Sequence, residues 1–590
     1  MTDIDVPVLI IGGGGVGLTS SIFLSNLGVD HLLVERHEDT SMLPKAHYLN
    51  QRTMEALRQH GVADAILEVG APIEKFGKVR WVTSLGGDGP LDRKEIHEVD
   101  AFGGGATREL YAKDSPVLSS NYPQIRLEKL LRAQAEKRAP GKVLFGHEVT
   151  DWEQTDAGVT VSVLDRRTQE THAVRAKYVI AADGGKTVGP KLGAVLAGPT
   201  NMVDMVSTHF SADLSQYWDD GTLITWFLNP EGKDSWGSGA MVQMGPTWGS
   251  HSEEWVIHFA FQPDDPERFN EEAIVPRLRT LLKLPDLDMT VHKVSHWILD
   301  RIVAEQWRFG NIFLAGDAAH RQPPTSGLGL NTGIQDAHNL AWKLAEVLSG
   351  RAGDALLDSY ESERKPVSAH GADWALLAFM NHFVLDAGVG LIPGAPPEVN
   401  AGAFQALFSD TPMGESLRAR AHYVLDTQRM EFNAHDVEIG FSYDNGALVP
   451  DGTPRPPRDP EGRKYQPTTR PGHRLPHAWL ERDGRQLSTQ DLVKASGGFA
   501  LLTDATGAAW EQAAATVSAD LGVPITVGVI GHDELVDSEG TWPGLSGVQA
   551  GGAVLARPDH FVAWRVQALP DDPASALADA VRGVLSYTGN

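Results

Sequence analysis

A glycine-rich turn lies near the N-terminus, in the stretch VPVLIIGGGGVGLTSS. Gly12, Gly14 and Gly17 follow the apolar run Val6 to Ile11 and precede apolar residues at helical spacing. Glycines at this spacing let the chain turn tightly and approach a pyrophosphate, whose charge then lies at the start of the helix. Glu35 ends the next apolar run, where a carboxylate can bind both hydroxyls of an adenosine ribose. The pattern predicts a dinucleotide site, and the acid favours FAD or NAD(H) over NADP(H).

A second glycine-rich loop, GDAAHRQPPTSGLGLNTGIQD, runs from Gly316 to Asp336. Asp317 follows the apolar run Ile312 to Ala315, so its carboxylate is expected at the C-terminal end of a strand, the usual place for ligand contact in an open α/β sheet. Gly327, Gly329 and the start of the next helix offer backbone N–H groups to an anion or to the polar edge of a ring. A turn that only feeds a capped helix is the alternative.

Composition excludes several classes of function. The 51 basic and 77 acidic residues give a net charge of −26, which repels nucleic acid and anionic membranes. Cysteine is absent, so disulfides and thiolate chemistry are excluded. No apolar stretch approaches the ~20 residues of a membrane span, and Asp3 and Asp5 stand where a secretory signal has basic residues. We expect a cytoplasmic protein with no nucleic-acid or membrane partner, and no metal site, because no ligand spacing is visible.

The organisation of the chain surrounds these loops with α/β elements. Residues 1–198 and 301–443 predict a parallel α/β domain, and the aromatic-rich segment 199–300 predicts a separate antiparallel sheet. Residues 444–475 are rich in proline and charge, which indicates a linker or wrapping arm, and 476–590 predict a terminal α/β domain. The aromatic residues expected on one face of the middle sheet are Trp226, Phe227, Trp236, Trp248 and Trp255.

These motifs together resemble a known enzyme family. The glycine turn with its acid, the pair Asp183-Gly184 and the stretch GDAAHRQPPTSGLGLNTGIQDAHNLAWKLA resemble the class A flavoprotein monooxygenases, the FAD-dependent aromatic hydroxylases. KAHYLNQRTMEALRQHG is similar to the branch of phenol hydroxylase, 2,4-dichlorophenol hydroxylase and 2-hydroxybiphenyl 3-monooxygenase. The resemblance implies an α/β fold: a Rossmann-like FAD-binding domain with an inserted antiparallel β-sheet substrate domain, and a thioredoxin-like C-terminal domain.

The resemblance also implies a set of FAD contacts. Asp317 would bond the ribityl chain, the backbone of Gly329 to Asn331 would meet the pyrimidine end of the flavin, and Gln124 would contact the ribityl or phosphate region. The predicted cofactor-binding residues are Gly12, Gly14, Gly15, Val16, Gly17, Glu35, Arg36, Lys45, Gln124, Arg126, Asp183, Gly184, Gly316, Asp317, Pro324, Gly327, Gly329, Leu330 and Asn331.

Two positions depart from the family pattern. After Asp183-Gly184 the family continues to a serine and an arginine, but Thr187 and Pro190 stand here. Lys45 replaces the arginine of a Pro-Arg-Ala motif, which keeps the positive charge but loses the bidentate fork. The resemblance implies NADH or NADPH as a transient reductant, and these departures leave the choice between them open.

His47 is the predicted acid–base residue. It lies five positions before Arg52, where phenol hydroxylases have the acid that contacts the substrate hydroxyl. The family's chemistry uses a C4a-hydroperoxyflavin that attacks a ring made electron-rich by loss of the hydroxyl proton, so a base near the operating pH is useful, and histidine titrates there. His47 would be that base, or the hydrogen-bond partner that orients the phenolate. The weaker candidates are His209, His258, His320 and Arg321.

The sequence therefore predicts an FAD-dependent monooxygenase that uses NAD(P)H and O2 to hydroxylate a phenolic substrate ortho to its hydroxyl. The predicted substrate pocket consists of Trp226, Met241, Gln243 and Pro323. One alternative is hydroxylation or Baeyer–Villiger oxidation of a polycyclic polyketide, and another is an FAD-binding protein without oxygenase turnover. A homodimer is the expected assembly.

Overall fold

The structure is a computed structural model that describes residues 4–230, 238–392, 394–531 and 535–586. Trp236, one of the aromatic residues expected in the middle sheet, lies outside these ranges. The first sheet has a parallel centre, in which Ile4–Ile11 lies between His31–Glu35 and Thr171–Ala181, and the latter also pairs with Ile312–Leu314. Its other strands are Val143–Phe145, His147–Thr155, Gly158–Asp165 and Arg308–Phe309.

The parallel centre brings the two glycine-rich loops together. Ile11 is in register with Ala181, and Ala181 with Leu314, so three neighbouring strands end at the same edge of the sheet. Gly12, Asp183 and Gly316 follow these ends directly. The two loops are therefore close in space although they are far apart in the sequence, because their strands are neighbours in the sheet.

Helices cover both faces of this sheet, and Gly15–Asn26 packs against Leu328–Leu348. No helix in the described ranges is long and apolar enough to cross a membrane. The other α-helices are Gln51–Gln59, Ala63–Val69, Arg108–Asp114, Gln124–Arg138, Val188–Leu192, Ile274–Leu282, Asp358–Asn381, Phe383–Val389, Pro397–Leu407, Pro412–Leu425, Arg429–Phe432, His435–Ile439, Ala509–Leu521, Trp542–Ser546 and Pro573–Leu585.

The second sheet has seven strands and extends beyond the expected segment 199–300. The hairpin of Lys78–Val82 and Glu95–Asp100 joins its edge, and Lys78–Val82 runs parallel to Thr222–Leu228. All the other pairings in this sheet are antiparallel, as expected. In spatial order its strands are Thr290–Leu299, Val203–Ser211, Glu254–Phe261, Ser238–Gly245, Thr222–Leu228, Lys78–Val82 and Glu95–Asp100.

The two faces of this second sheet pack against different parts of the molecule. Val242 and Met244 belong to an apolar cluster with Tyr48 and Ile125 of the first domain. Met241, Phe227 and Trp255 belong to another cluster, closed by the helix Ile274–Leu282. Trp226 packs in the first cluster, so the aromatic residues expected on one face are divided between both.

The C-terminal domain has a four-stranded sheet. Phe499–Asp504 is parallel to Ile525–Ile530 and antiparallel to Ala553–Ala556, which pairs with Val562–Val566. The helices Ala509–Leu521 and Pro573–Leu585 pack on each other. A strand–helix–strand unit followed by strand–strand–helix in this order is the arrangement expected of a thioredoxin-like domain.

Residues 444–475, all of them described, form an irregular arm with isolated β-bridges instead of a helix or strand. The arm ends on the fully buried Arg474, whose Nε donates to Glu55 Oε2 at 2.9 Å. Arg557 of the C-terminal domain likewise donates to Glu363 Oε1 at 2.7 Å, and Glu363 accepts from Lys343 Nζ at 2.7 Å. Buried charges therefore join the arm and the C-terminal domain to the first domain.

Candidate active site

The first and second glycine-rich loops are in direct contact. A Cβ on Gly15 would lie 2.8 Å from Leu330 Cδ1, and a Cβ on Gly316 would lie 2.8 Å from Val16 Cγ2. A Cβ on Gly333 would also meet Val16 Cγ2, at 2.6 Å. Because these contacts leave no room for a methyl group, the two loops form one continuous surface at the edge of the parallel sheet.

The first loop has the backbone that a bound pyrophosphate requires. Gly12 has φ of +114°, and a Cβ on Gly17 would lie 1.9 Å from the Gly12 carbonyl oxygen. A Cβ on Gly14, by contrast, would meet nothing closer than Glu128 Oε1 at 3.5 Å, so the turn is open on its outer side. Glu35 stands at the end of its strand, as predicted, and its carboxylate accepts from Gly13 N at 2.7 Å.

The second loop leaves polar groups without protein partners, as a site for a polar ligand should. The exposed carboxylate of Asp317 has no hydrogen bond or ion pair within the described residues. Both amide atoms of Gln322, and the hydroxyl of Ser326, are buried and likewise unpartnered among these residues. A Cβ on Gly329 would meet nothing closer than Gln322 Cγ at 4.0 Å, so open space adjoins this amide. The two loops thus fit an FAD molecule.

Asn331 ties the second loop to the strand that follows His47. Its Nδ2 donates to Tyr48 O at 2.9 Å and to Gly327 O at 2.7 Å, and its Oδ1 accepts from Asn50 N at 2.9 Å. The Asn331 side chain is therefore a structural anchor, and only its backbone remains for the flavin contact predicted from the sequence.

Other predicted cofactor residues have protein partners. Gln124 bonds the loop before His47 through Ala46 N, at 3.3 Å, and also donates to Glu128. Asp183 accepts from Thr187 N at 2.7 Å and Val188 N at 2.8 Å, so its carboxylate holds its own turn, while Gly184 beside it faces open space.

The three basic residues predicted to contact FAD have different surroundings in the structure. Arg126 Nη2 pairs with Glu254 Oε2 at 2.9 Å, and its Nε donates to Met244 O at 3.1 Å, so it joins the first domain to the second sheet. Lys45 is exposed, and its charge opposes the rise in the pKa of Glu128 that burial causes. Arg36 is half-buried beside Glu35.

His47 lies between the flavin loop and the second sheet. Its Nδ1 is 2.8 Å from Asn121 Oδ1, and its carbonyl accepts from Tyr122 N at 2.7 Å. Burial lowers the pKa of His47 to about 4, although the Asn121 hydrogen bond raises it. The expected titration near neutral pH is therefore corrected: the imidazole is neutral there.

His258 approaches His47 from the second sheet. Its Nδ1 is 2.7 Å from Ser207 Oγ, which also accepts from Trp297 Nε1 at 2.9 Å. Burial, with a smaller contribution from the charge of His47, lowers the pKa of His258 to about 4. The imidazoles of His47 and His258, one from the first domain and one from the second sheet, are therefore both neutral near pH 7.

The comparisons with known proteins agree with this geometry. A family model described as FAD binding domain matches residues 5–375, and one described as aromatic-ring hydroxylase, C-terminal, matches residues 468–587. The chain belongs to the FAD-dependent aromatic-ring hydroxylases. This confirms the resemblance stated from the sequence, and FAD is the cofactor, with NAD(P)H as reductant and O2 as co-substrate.

The relatives of this hydroxylase match it over nearly its whole length. Phenol 2-monooxygenase of Pseudomonas sp. (strain EST1001) is 33% identical, covering 98% of this chain and 93% of the relative. Tetracenomycin A2 monooxygenase-dioxygenase of Streptomyces glaucescens is 34% identical, covering 100% and 98%. The crystal structure of the flavin-dependent monooxygenase PieE, in complex with FAD and substrate, superposes with a TM-score of 0.92 at 37% identity, covering 99% of this chain and 100% of that one.

The structure places the residues predicted for the substrate pocket of the hydroxylase on both faces of the second sheet and in the flavin loop. Met241 pairs with Ile257 and Thr225, on the face of the sheet turned away from His47, and Gln243 is held by Gly249 N and two carbonyls. Side chains alternate between faces along a strand, so Ala240, Val242 and Met244 are the residues of this strand that face the first domain. Trp226 lies on the same face as Ala240, the face that packs against the first domain, and Pro323 is buried in the flavin loop.

Sequence reasoning missed four residues of the hydroxylase site: Glu128, Asn121, Ser207 and Gln322. Only Glu128 had a usable signal, because it lies four positions after Gln124 and therefore on the same face of a helix. The others matter through contacts between distant segments. Within the described residues, no group of three or more His, Cys, Asp or Glu side chains could hold a metal ion.

Proposed function

We propose that this hydroxylase inserts one oxygen atom of O2 into a phenolic ring, ortho to the hydroxyl group. The observation that carries the proposal is the position of His47, which lies beside the flavin loop with its Nδ1 bound to Asn121, while its Nε2 has no hydrogen bond to any residue that the structure describes. When bound, FAD takes electrons from NAD(P)H and activates O2 for oxygen transfer.

His47 acts on the hydroxyl as a hydrogen-bond acceptor. With a pKa of about 4 it is a weak base, and a phenol has a pKa of ~10, so full proton transfer between them would cost on the order of 8 kcal/mol. A hydrogen bond that strengthens as the oxygen loses its proton still draws electron density into the ring. This supports the second role expected for His47, hydrogen bonding to the substrate, for the neutral phenol only, because an Nε2 without a proton cannot donate to a phenolate.

The rest of the chain positions the cofactor and excludes water. Gly12 to Gly17 and Glu35 would hold the adenosine diphosphate half of FAD, and Asp317 with the backbone from Gly329 onward would hold the ribityl and flavin half. The second sheet packs on the segment around His47. We propose this sheet, together with the hairpin of residues 78–100, as the substrate domain. A homodimer and a cytoplasmic location belong to the same proposal.

Polyketide oxidation is the second candidate, and one observation favours it. The relatives include phenol 2-monooxygenase and tetracenomycin A2 monooxygenase-dioxygenase, whose names indicate single-ring and larger substrates, at nearly equal identity of 33% and 34%. The same flavin loops and the same sheet are compatible with either size of substrate.

The test is a screen of phenols with the FAD-loaded enzyme. Aerobic oxidation of NADH and of NADPH is measured with each phenol, and products are identified by mass spectrometry and NMR. We expect a phenol to accelerate flavin reduction and to yield the ortho-dihydroxy product. If no phenol accelerates reduction of the flavin and no oxygenated product forms, the proposal is overturned. The protein would then be an FAD-binding protein without turnover on phenols.

A further inference from the structure

One face of the second sheet packs on the segment that contains His47, because Val242 and Val256 belong to the same apolar cluster as Tyr48. One row of directly opposed residues on this face includes His258. Directly opposed residues of neighbouring strands share a face. The row consists of Ser207, His258, Ala240 and Trp226. His258 is its titratable member, and like His47 it is half-buried and retains accessible surface. A substrate between the sheet and the flavin loop therefore meets both imidazoles.

Hydrogen bonds determine which ring nitrogen of His258 carries the proton. Ser207 Oγ accepts from the Trp297 indole N–H at 2.9 Å and lies 2.7 Å from His258 Nδ1. Since the indole only donates, the hydroxyl proton of Ser207 is available, and His258 Nδ1 is the acceptor that faces it. The neutral ring then has its single proton on Nε2. His258 thus offers a hydrogen-bond donor to the pocket.

His47 offers the opposite polarity. Its Nδ1 faces Asn121 Oδ1 at 2.8 Å, and a carbonyl oxygen only accepts, so Nδ1 carries the proton. The neutral ring therefore presents the bare lone pair of Nε2. His47 therefore accepts a hydrogen bond from the substrate, and His258 donates one to it.

We propose that the substrate is a phenol that also carries a carbonyl oxygen, with the hydroxyl donating to His47 Nε2 and the carbonyl accepting from His258 Nε2. The inference rests on the proposed hydroxylation of a phenol, and the carbonyl is the new element. A donor beside an apolar side chain such as Ala240 costs energy unless it is paired, which selects against phenols without an acceptor.

The chemistry of the pocket favours a neutral carbonyl over a carboxylate. Arg126 reaches the end of the neighbouring strand at Met244, but it is already paired with Glu254. A conjugated carbonyl also lowers the pKa of a phenol, which compensates for the weak basicity of His47. The same substituent therefore satisfies the donor and makes the hydroxyl easier to ionise.

The test compares substrates that differ only in the carbonyl. Binding to the FAD-loaded enzyme is followed by the change in flavin absorbance, with meta- and para-hydroxyacetophenone against meta- and para-ethylphenol, and a hydroxytetralone against the tetrahydronaphthol of the same ring pattern. We expect the carbonyl compound of at least one pair to bind roughly 5- to 50-fold more tightly, the range of one hydrogen bond to a buried donor.

Variants assign this preference to His258. His258→Leu should abolish the difference within the pair, because it removes both the bond to the carbonyl and the unpaired donor that disfavours the ethyl compound, whereas His258→Gln, which retains a donor, should preserve part of it. Ser207→Ala removes the group that fixes the proton on Nε2 and should reduce the preference. His147→Gln, in the hairpin of the first sheet, is the matched control and should keep it.

The outcomes separate this inference from the proposed function. Equal binding within every pair, equal losses for both members in His258→Leu, or no binding of any probe would overturn the paired-imidazole inference even if phenols are hydroxylated. A carbonyl preference that depends on His258 would support it even if no probe is turned over, because binding is measured without NAD(P)H.

Discussion

Glu128 Oε1 accepts a hydrogen bond from Gly15 N at 3.2 Å, at the start of the helix where the FAD pyrophosphate is expected. Gln124 Nε2 donates to the same oxygen at 2.6 Å, and the other oxygen, Oε2, accepts from Ser41 N at 3.1 Å. Burial raises the pKa of Glu128, although Lys45 and these donors oppose the shift. One buried carboxyl thus joins the glycine turn to the loop that leads to His47.

We expect Glu128→Ala to weaken FAD binding. The substitution removes the acceptor that holds Gly15 N and Ser41 N, so the turn must be ordered when FAD binds; if that ordering costs about the 1–3 kcal/mol of a lost buried hydrogen bond, the FAD dissociation constant should rise roughly tenfold or more. Glu128→Gln, which keeps an acceptor and removes the charge near the pyrophosphate, should stay within about threefold of wild type. Titration of apoprotein with FAD by flavin fluorescence measures both.

The control for this prediction is Glu136→Gln. Glu136 lies on the same helix but is partly exposed and pairs with Arg132 at the surface, so FAD affinity should not change. Unchanged affinity in Glu128→Ala would show that Glu128 does not hold the turn.

His47 should act without titrating near neutral pH. Because burial holds its pKa at about 4, kcat/KM on a phenol should show no His47 ionisation between about pH 6 and 8, and should fall as pH decreases toward 4. His47→Leu should lower kcat/KM by about 10- to 100-fold, the cost of one hydrogen bond made to a developing charge, and His47→Gln should recover part of it. A kcat/KM step near pH 6.5 that disappears in His47→Gln would instead show a conventional general base.

The sequence predicted the parallel core well and the pocket poorly, for a physical reason. A strand such as Ile4–Ile11 is buried on both faces within a parallel sheet, so it reads as a continuous apolar run. Ser238–Gly245 is also buried on both faces after its first residue, and it therefore shows no alternation that tells which residues face the flavin. Met241 and Met244 therefore looked equally suitable for the pocket, although they lie on opposite faces of the sheet.

The site chemistry depended on contacts that no local pattern contains. The hairpin of residues 78–100 joins the second sheet by pairing with a segment more than a hundred positions away. The proton on His258 is set by Ser207 and Trp297, and the pKa of His47 by its burial. Residue types and spacing therefore located FAD and the reaction class, whereas proton positions required the structure.

The C-terminal domain should depend on buried ion pairs for its attachment. Arg474→Met leaves the carboxylate of Glu55, which is fully buried, with Arg52 as its remaining cation at 3.0 Å. Breaking a buried pair on one side costs about 3–5 kcal/mol, so the free energy of unfolding measured with urea should fall by that order. Arg166→Met, which breaks an exposed pair with Glu148, should cost at most about 1 kcal/mol. Equal effects of the two variants would contradict this account.

Acid should destabilise this hydroxylase well before its carboxylates are protonated. Burial lowers the pKa of five histidines to about 3 or 4: His47, His60, His258, His473 and His477. The unfolded chain binds their protons at the ordinary pKa of ~6.5, so stability is full above that pH and falls as pH decreases from 6.5 toward 4, by up to about 1.4 kcal/mol per pH unit for each histidine. Thermal unfolding should therefore show Tm decreasing steadily across this range. His473→Gln should make the decrease shallower, and a Tm that stays constant between pH 6.5 and 4 would show that these imidazoles are not held neutral by the fold.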